Sequence, residues 1–300
     1  MTYEIGFIGL GKMGSNMVCN LLAKKYHVVG YDKNIAIAKS MVKEGMYWAS
    51  SLEGLTKNLT KPRTIWLMVP SRSVKESLDE LTPLLDNGDT IIDGGNSYFK
   101  DSQTRYHGLK KIGLHFLDCG TSGGIEGARH GACLMVGGDK SAFEKSRHIF
   151  RDLSAKNSYA YLGKAGAGHF AKMIHNAIEY SMMGAIAEGM NAINSLGHEF
   201  DMDSKKVASV YCQGSIIQGK LMDWLLSGMH KRYFNSVPGT VPKGETEEEM
   251  ENLERLAKMP LLKESIQMRQ ASRNRPSFEG KIIAILRNEF GGHALQAKKK

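Results

Sequence analysis

The run Gly9-Leu10-Gly11-Lys12-Met13-Gly14 constrains this chain most, because an apolar stretch ends there and a helical periodicity begins. Glu4-Ile5-Gly6-Phe7-Ile8 before it reads as a short buried strand, and Met17, Val18, Leu21 and Leu22 after it recur at helical spacing. Val28-Val29-Gly30-Tyr31 reads as a second strand, so GxGxxG opens the helix of a βαβ unit. In that setting the first glycine makes a tight turn, the second lets backbone approach a pyrophosphate, and the third lets helix pack closely on strand. The helix N-terminus presents N–H groups and a positive dipole end to the anion. The reading is a nicotinamide dinucleotide site formed by Gly9, Leu10, Gly11, Lys12, Met13 and Gly14, joined by Val69 at the end of a later strand.

Asp32 closes the second strand at the spacing of the acidic residue that accepts hydrogen bonds from a ribose. A carboxylate there repels a 2′-phosphate, which favours NAD over NADP. Asp32 has a plainer use as a helix cap, and Lys33 beside it leaves NADP open.

Strands near Thr64–Val69 and Thr90–Ile92, separated by Val74, Leu78, Leu81 and Leu84-Leu85, repeat the alternation, and further strands fall near His115–Leu117, Cys133–Val136 and Ser158–Leu162. Alternating strands and helices imply a parallel sheet. After Gly163 the β signal fades, and helices are expected over 166–196, 204–228, 247–257, 260–272 and 277–289, with 235–246 as a surface connection. The expected architecture is α/β: a Rossmann-type, mostly parallel sheet domain over 1–163, then an all-α helical domain over 164–300 for substrate binding and oligomerisation. A length of 300 residues suits two such domains.

Composition narrows the function classes. The net charge of +9 is scattered apart from Lys298-Lys299-Lys300, which suits an anionic small molecule better than a nucleic-acid footprint. No apolar run approaches the roughly 20 residues of a membrane helix, and Met1-Thr2-Tyr3-Glu4 does not start a signal peptide. A cytoplasmic protein without membrane or nucleic-acid partners is expected. Cys19, Cys119, Cys133 and Cys212 lie far apart, without metal-ligand spacing, and are expected to be reduced and mostly buried, with no metal. The acidic residues Glu245, Glu247, Glu248, Glu249 and Glu251 read as a helix start, with carboxylates at the positive end of the dipole.

The segment from Gly166 to Tyr180 carries an unusual face. Lys172, His175, Asn176 and Glu179 fall on one helical stripe, with Tyr180 at its edge, while Phe170, Ala171, Met173, Ile174, Ala177 and Ile178 cover the rest. Polar groups on so apolar a helix should line a cavity, since burying them idly is costly. Lysine serves as a general base when its proton affinity is lowered, and Glu179 stands two turns away as a complementary acid. Two proton carriers imply a multistep reaction.

Five motifs in order, Gly9-x-Gly11-x-x-Gly14, Ile91-Ile92-Asp93-Gly94-Gly95-Asn96-Ser97, Thr121-Ser122-Gly123-Gly124, the Lys172 helix and Phe290-Gly291-Gly292-His293, span essentially the whole chain. With them the sequence resembles the decarboxylating 6-phosphogluconate dehydrogenases, in particular their shorter form with an unduplicated helical domain. The resemblance implies oxidation and decarboxylation of 6-phosphogluconate, a phosphorylated sugar acid, to ribulose 5-phosphate, with Lys172 as base and Glu179 as acid. It further implies that Asn96 contacts cofactor and substrate, that Ser122, Gly123 and Gly124 hold the carboxylate end, and that His175 and Asn176 bind hydroxyls. Tyr180, Arg269, Arg287 and His293 would hold the phosphate, the last two donated by a neighbouring subunit of a homo-oligomer, a dimer or a dimer of dimers. For Arg269, with Arg273 and Arg275 nearby, plain surface solvation competes with that role.

Two departures stand out. Longer members place an extra phosphate lysine after the Gly214 region, where Lys220 is out of register; and where NADP-using members carry Asn-Arg-Thr, this chain has Asp32-Lys33-Asn34. Two other readings stay open. One is another β-hydroxyacid dehydrogenase, acting on 3-hydroxyisobutyrate or tartronate semialdehyde. The other is a non-catalytic dinucleotide sensor, against which the Lys172 and Glu179 pair argues.

Overall fold

The computed structural model describes residues 4–244 and 246–295; Glu245 and the Lys298-Lys299-Lys300 tail lie outside the described residues. The chain divides into two compact units, Met1–Lys172 and Met173–Lys300.

The first unit is built on strands β1 (Glu4–Ile8), β2 (His27–Tyr31), β3 (Tyr47–Trp48), β4 (Thr64–Leu67), β5 (Thr90–Asp93), β6 (His115–Ser122), β7 (Ala132–Gly138) and β8 (Ser154–Gly163). Helices α1 (Lys12–Ala23), α2 (Ile35–Val42), α3 (Leu52–Lys57), α4 (Ser71–Leu81), α5 (Phe99–Lys111), α6 (Gly124–His130) and α7 (Lys140–Leu153) connect them. The sheet order is β3-β2-β1-β4-β5-β6-β7-β8. Pairing is parallel from β3 through β6, antiparallel between β6 and β7, and parallel again between β7 and β8. The expected strands near Cys133–Val136 and Ser158–Leu162 are therefore longer than their apolar cores. β3, only two residues long, carries no periodicity to be read.

Period-2 alternation sorts side chains onto two buried faces. Ile5, Phe7, Trp66 and Ile92 join one apolar cluster with Met17, Phe143 and Phe150. Ile8, Ile65, Leu67 and Ile91 join the other with Leu55, Val74 and Phe116. β1 is followed on one side by β2 and on the other by β4, and the crevice opened where the winding reverses lies at the carboxyl ends of β1 and β4.

A long helix, α8 (Ala167–Leu196), runs from the first unit into the second, which continues with α9 (Ser204–Tyr211), α10 (Lys220–His230), α11 (Glu247–Ala257), α12 (Pro260–Asn274) and α13 (Phe278–Gly291). Met183, Ala187, Met190, Leu225, Met229, Ile282 and Ile285 form its core. Two expectations need correction. The single helix over 204–228 is two, because Gly214 adopts a left-handed conformation (φ 69°) and Ile216 and Ile217 stand in solvent with no apolar face to hold the helix together. The stretch 235–246 is not wholly a surface connection: Val237 and Val241 are buried in the core, and the Val241 N–H donates to Ser272 Oγ at 3.0 Å.

Glu247, Glu248 and Glu249 fill the first turn of α11, yet Glu247 is buried and paired with Arg273, so it neutralises a cation as well as facing the dipole. All four cysteines are free; Cys119 and Cys212 are buried, but Cys19 is half-buried and Cys133 exposed. Among the described residues no helix is long and apolar enough to cross a membrane.

Candidate active site

Gly9 takes φ 93°, and a Cβ there would stand 2.4 Å from the Met68 carbonyl oxygen and 2.9 Å from Val69 Cγ1. A Cβ on Gly14 would stand 2.0 Å from the Gly9 carbonyl oxygen, so α1 can leave the strand this closely only with glycine at that position. Gly11 differs: nothing lies within 4 Å of its Cβ position. It is the N-cap of α1 and supplies no side-chain cap to the first turn, where the positive end of the helix dipole lies. This open turn fits a pyrophosphate.

Asp32 braces the loop. Its Oδ2 accepts the Leu10 N–H at 2.6 Å and its Oδ1 accepts the Asn34 N–H at 2.7 Å. The cap of α2 is Asn34, whose Oδ1 accepts from the Ala36 N–H, so Asp32 is not simply a helix cap. Lys33 turns toward Glu76, 2.9 Å away, and Glu80. At the ends of β4 and β5, a Cβ on Gly95 would stand 2.7 Å from the Val69 carbonyl oxygen, which puts the loop bearing Asn96 directly over Val69. Ser122 ends β6, and Gly123 and Gly124 lead into α6 with φ of 117° and 62°.

The base of α8 is seated on this sheet. Asp118, fully buried on β6, accepts the Gly166 N–H at 2.7 Å and the His169 N–H at 3.0 Å, closing orphan donors of the first turn. A Cβ on Gly120 would stand 2.4 Å from Lys172 Cβ, so the lysine stem lies against bare backbone.

In the second unit, His175 Nδ1 lies 3.7 Å from Glu179 Oε2 and 3.4 Å from Asn176 Oδ1. The Arg269 guanidinium stacks 3.4 Å over the Tyr180 ring. The Tyr180 hydroxyl meets Thr246 Oγ1 at 2.9 Å. Arg269 is 2% exposed, which removes the surface-solvation reading; its Nη2 meets Met183 Sδ at 3.5 Å, and its Nε has no hydrogen-bond partner. Burial pushes its pKa down to about 10, with the Arg287 charge adding in the same direction. Burial also lowers Arg287. Arg287 donates from Nη1 to the Pro242 carbonyl at 2.7 Å, and a Cβ on Gly244 would stand 2.9 Å from its Nη2 and 3.9 Å from the Tyr180 hydroxyl. Arg287 thus lies beside Tyr180 of its own chain. His293 is exposed, edge-on to Phe290.

Sequence reasoning missed Pro242, Thr246, Glu247 and Arg273, which surround these arginines. Three of them come from, or directly follow, the irregular stretch 235–246, where no periodicity signals a facing direction.

A glycine loop open at Gly11 and braced by Asp32, set at the switch point of a parallel sheet, defines a dinucleotide-dependent dehydrogenase of the Rossmann class. Residues 4–163 match the NAD binding domain of 6-phosphogluconate dehydrogenase. The chain belongs to the 6-phosphogluconate dehydrogenase family. It is 44% identical over 98% of its length to YqeC of Bacillus subtilis, provisionally named a 6-phosphogluconate dehydrogenase, and spans 100% of that relative. It is 33% identical to the NAD(+)-dependent, decarboxylating 6-phosphogluconate dehydrogenase of Haloferax volcanii, over 98% of this chain and 99% of that one. Among solved structures, the Plasmodium falciparum 6-phosphogluconate dehydrogenase aligns with a TM-score of 0.82 at 28% identity, over 91% of this chain and 62% of its own length. The Mycobacterium tuberculosis 3-hydroxyisobutyrate dehydrogenase shares the fold, with a TM-score of 0.71 at 20% identity over 94% of this chain and 98% of that one.

Proposed function

We propose that the protein oxidatively decarboxylates 6-phosphogluconate to ribulose 5-phosphate and carbon dioxide with NAD, and less readily with NADP. The observation that carries this reading is the pair of buried arginines around Tyr180. Two desolvated guanidiniums, one with an unpartnered Nε, call for an anion, and their planar forks suit phosphate. A non-phosphorylated acid such as 3-hydroxyisobutyrate has no use for them.

In this reading Lys172 takes the proton of the C3 hydroxyl. The nicotinamide, when bound, accepts the hydride that leaves C3. The product is a β-keto acid, whose carbonyl accepts the electron pair as the carboxylate leaves as carbon dioxide. Glu179 then delivers a proton to C1 of the enediol. It stands seven positions after Lys172, which on one continuous helix is two turns on the same face. Asn96 orients substrate against nicotinamide, Ser122, Gly123 and Gly124 hold the carboxylate end, and His175 and Asn176 bind hydroxyls. Tyr180, Arg269, Arg287 and His293 hold the phosphate. The same reading makes the protein a cytoplasmic homo-oligomer of the pentose phosphate pathway and gluconate metabolism.

Initial rates with 6-phosphogluconate and with 3-hydroxyisobutyrate, each with NAD and with NADP and with carbon dioxide release followed, test it. Reduced cofactor and carbon dioxide in equal amounts from 6-phosphogluconate are expected. Turnover of 3-hydroxyisobutyrate alone would overturn the reading.

A further inference from the structure

Asn96 sits in a loop whose two ends are tied by buried charge. Asp93, the last residue of β5 and fully buried, accepts the Gly95 N–H through Oδ1 at 3.2 Å. Its Oδ2 accepts Ser97 Oγ–H at 2.8 Å and Arg105 Nη1–H at 3.1 Å. Arg105 Nη1 also donates to Ser97 Oγ at 2.9 Å, closing a triangle between strand, loop and α5. The two glycines let the loop sit flat: a Cβ on Gly94 would stand 2.2 Å from Trp66 Nε1. A buried ion pair of this kind adds little net stability over an apolar pair of the same volume. What it supplies is geometry, since a clamped loop cannot swing Asn96.

The same helix reaches the base of α8. One turn before Arg105, Ser102 Oγ lies 2.7 Å from Nδ1 of His169, a residue 2% exposed and one turn before Lys172. Another turn back, Phe99 packs edge-on to Phe170, with ring centroids 5.2 Å apart. A Cβ on Gly166 would stand 2.9 Å from the Phe99 carbonyl oxygen. Phe99, Ser102 and Arg105 are spaced three apart and lie along one side of α5. One side of one helix therefore touches both the Asn96 loop and the first turn of the Lys172 helix.

We infer that α5 is a strut registering Asn96 against Lys172, with Arg105 and Ser102 as its positioning residues. This rests on the proposed roles of Asn96 and Lys172. Neither positioning residue touches substrate; each acts through another side chain, Arg105 through Asp93 and Ser97, Ser102 through His169.

The test uses Arg105→Met, Arg105→Lys, Ser102→Ala and the double variant Arg105→Met/Ser102→Ala. A misplacement of about 1 Å costs as much as a hundredfold in rate, so kcat is expected to fall about ten- to a hundredfold in each disrupting single variant. Arg105→Met, which leaves the buried Asp93 carboxylate without its cation, is expected to lower the thermal midpoint more than Ser102→Ala, so rates are compared well below both midpoints, and Arg105→Lys, which keeps a donor for Asp93, should recover most of the rate and of the midpoint. The double variant should lose less than the product of the two single losses, because either break already frees the register. Amide exchange reads the strut independently of substrate. Arg105→Met is expected to speed exchange at Gly166 and His169 as well as at 94–97, and Ser102→Ala to speed it at 94–97 as well as at Gly166 and His169. Exchange confined to the mutated contact, or fully multiplicative losses in kcat, would overturn the strut. Should wild type fail on 6-phosphogluconate while the crossed exchange effects appear, the substrate reading falls and the strut stands. If Arg105→Met does not fold, the exchange and kcat of Ser102→Ala decide alone.

Discussion

A methyl group added at Gly14 would stand 2.0 Å from the Gly9 carbonyl oxygen, whereas one added at Gly11 would meet nothing within 4 Å, at a φ of −62° that alanine adopts freely. Gly14→Ala is expected to cost stability and cofactor binding together, because backbone must move. Gly11→Ala should melt like the wild type and bind NAD about tenfold or more weakly, since its methyl occupies space the pyrophosphate needs. Thermal melts and NAD titrations separate the two; normal NAD affinity in Gly11→Ala would remove the loop from the cofactor site. At the arginines, Arg269→Met is expected to raise the KM for 6-phosphogluconate about ten- to a hundredfold, the value of one or two charge-assisted hydrogen bonds, with NAD affinity unchanged. Arg269→Lys should do little better, because an ammonium neither stacks flat on Tyr180 nor presents a fork. These roles were readable in the sequence for Arg269 and Tyr180 only through family resemblance. Their stacking, and Thr246 beside them, depend on side chains 66 to 89 residues apart in sequence.

At the scale of elements, α7 depends on one carboxylate. Asp139 caps it by accepting the Ser141 N–H at 2.9 Å and the Ala142 N–H at 3.2 Å, and it meets His115 Nδ1 at 2.8 Å. Burial alone would raise the Asp139 pKa, but the Ser141, His115 and Ala142 hydrogen bonds outweigh it and hold it at about 2, below the ordinary 3.8. A carboxylate with a depressed folded-state pKa contributes stability that is full above the unfolded value and disappears as pH falls through the folded one. Asp139→Asn is therefore expected to cost about 1 to 2 kcal/mol near pH 7, and the gap between variant and wild type should narrow from pH 4 down to pH 2. Denaturant melts across that range check it, and a gap independent of pH would assign the loss to packing instead. Strands β1, β2, β4 and β5 were legible because each is a compact apolar run, and α8 because its periodicity persists for 30 residues. The break between α9 and α10 was not, since Val210, Ile216 and Ile217 keep an apolar signal while facing solvent.

For the whole molecule, the proposed assembly has a direct genetic test. If His293 completes the site of a neighbouring subunit, coexpressing Lys172→Met with His293→Ala should restore turnover that neither variant has alone. Random pairing of dimers leaves one intact site in half of them, about a quarter of wild-type activity. No restoration in a protein that sediments as a mixed oligomer would place His293 in its own subunit's site. Arg287 already lies beside Tyr180 within one chain, so Arg287→Met is not expected to complement in the same way.

The sequence by itself determined the order of the βαβ units, the glycine turn, the place of Asp32 at the end of the second strand and the polar stripe from Lys172 to Glu179, because each is written in neighbouring residues through hydrogen-bond periodicity or steric need. Tertiary structure decided the rest. Asp118 seats α8, Arg105 reaches Asp93, Arg269 stacks on Tyr180, and Val241 pulls an apparent surface connection into the core. These contacts join residues distant in sequence, and whether a charged side chain points to solvent or into a buried site depends on what packs against it. The glycine turn is legible in six residues; the arginine cluster exists only after three helices and an irregular strap have folded around it.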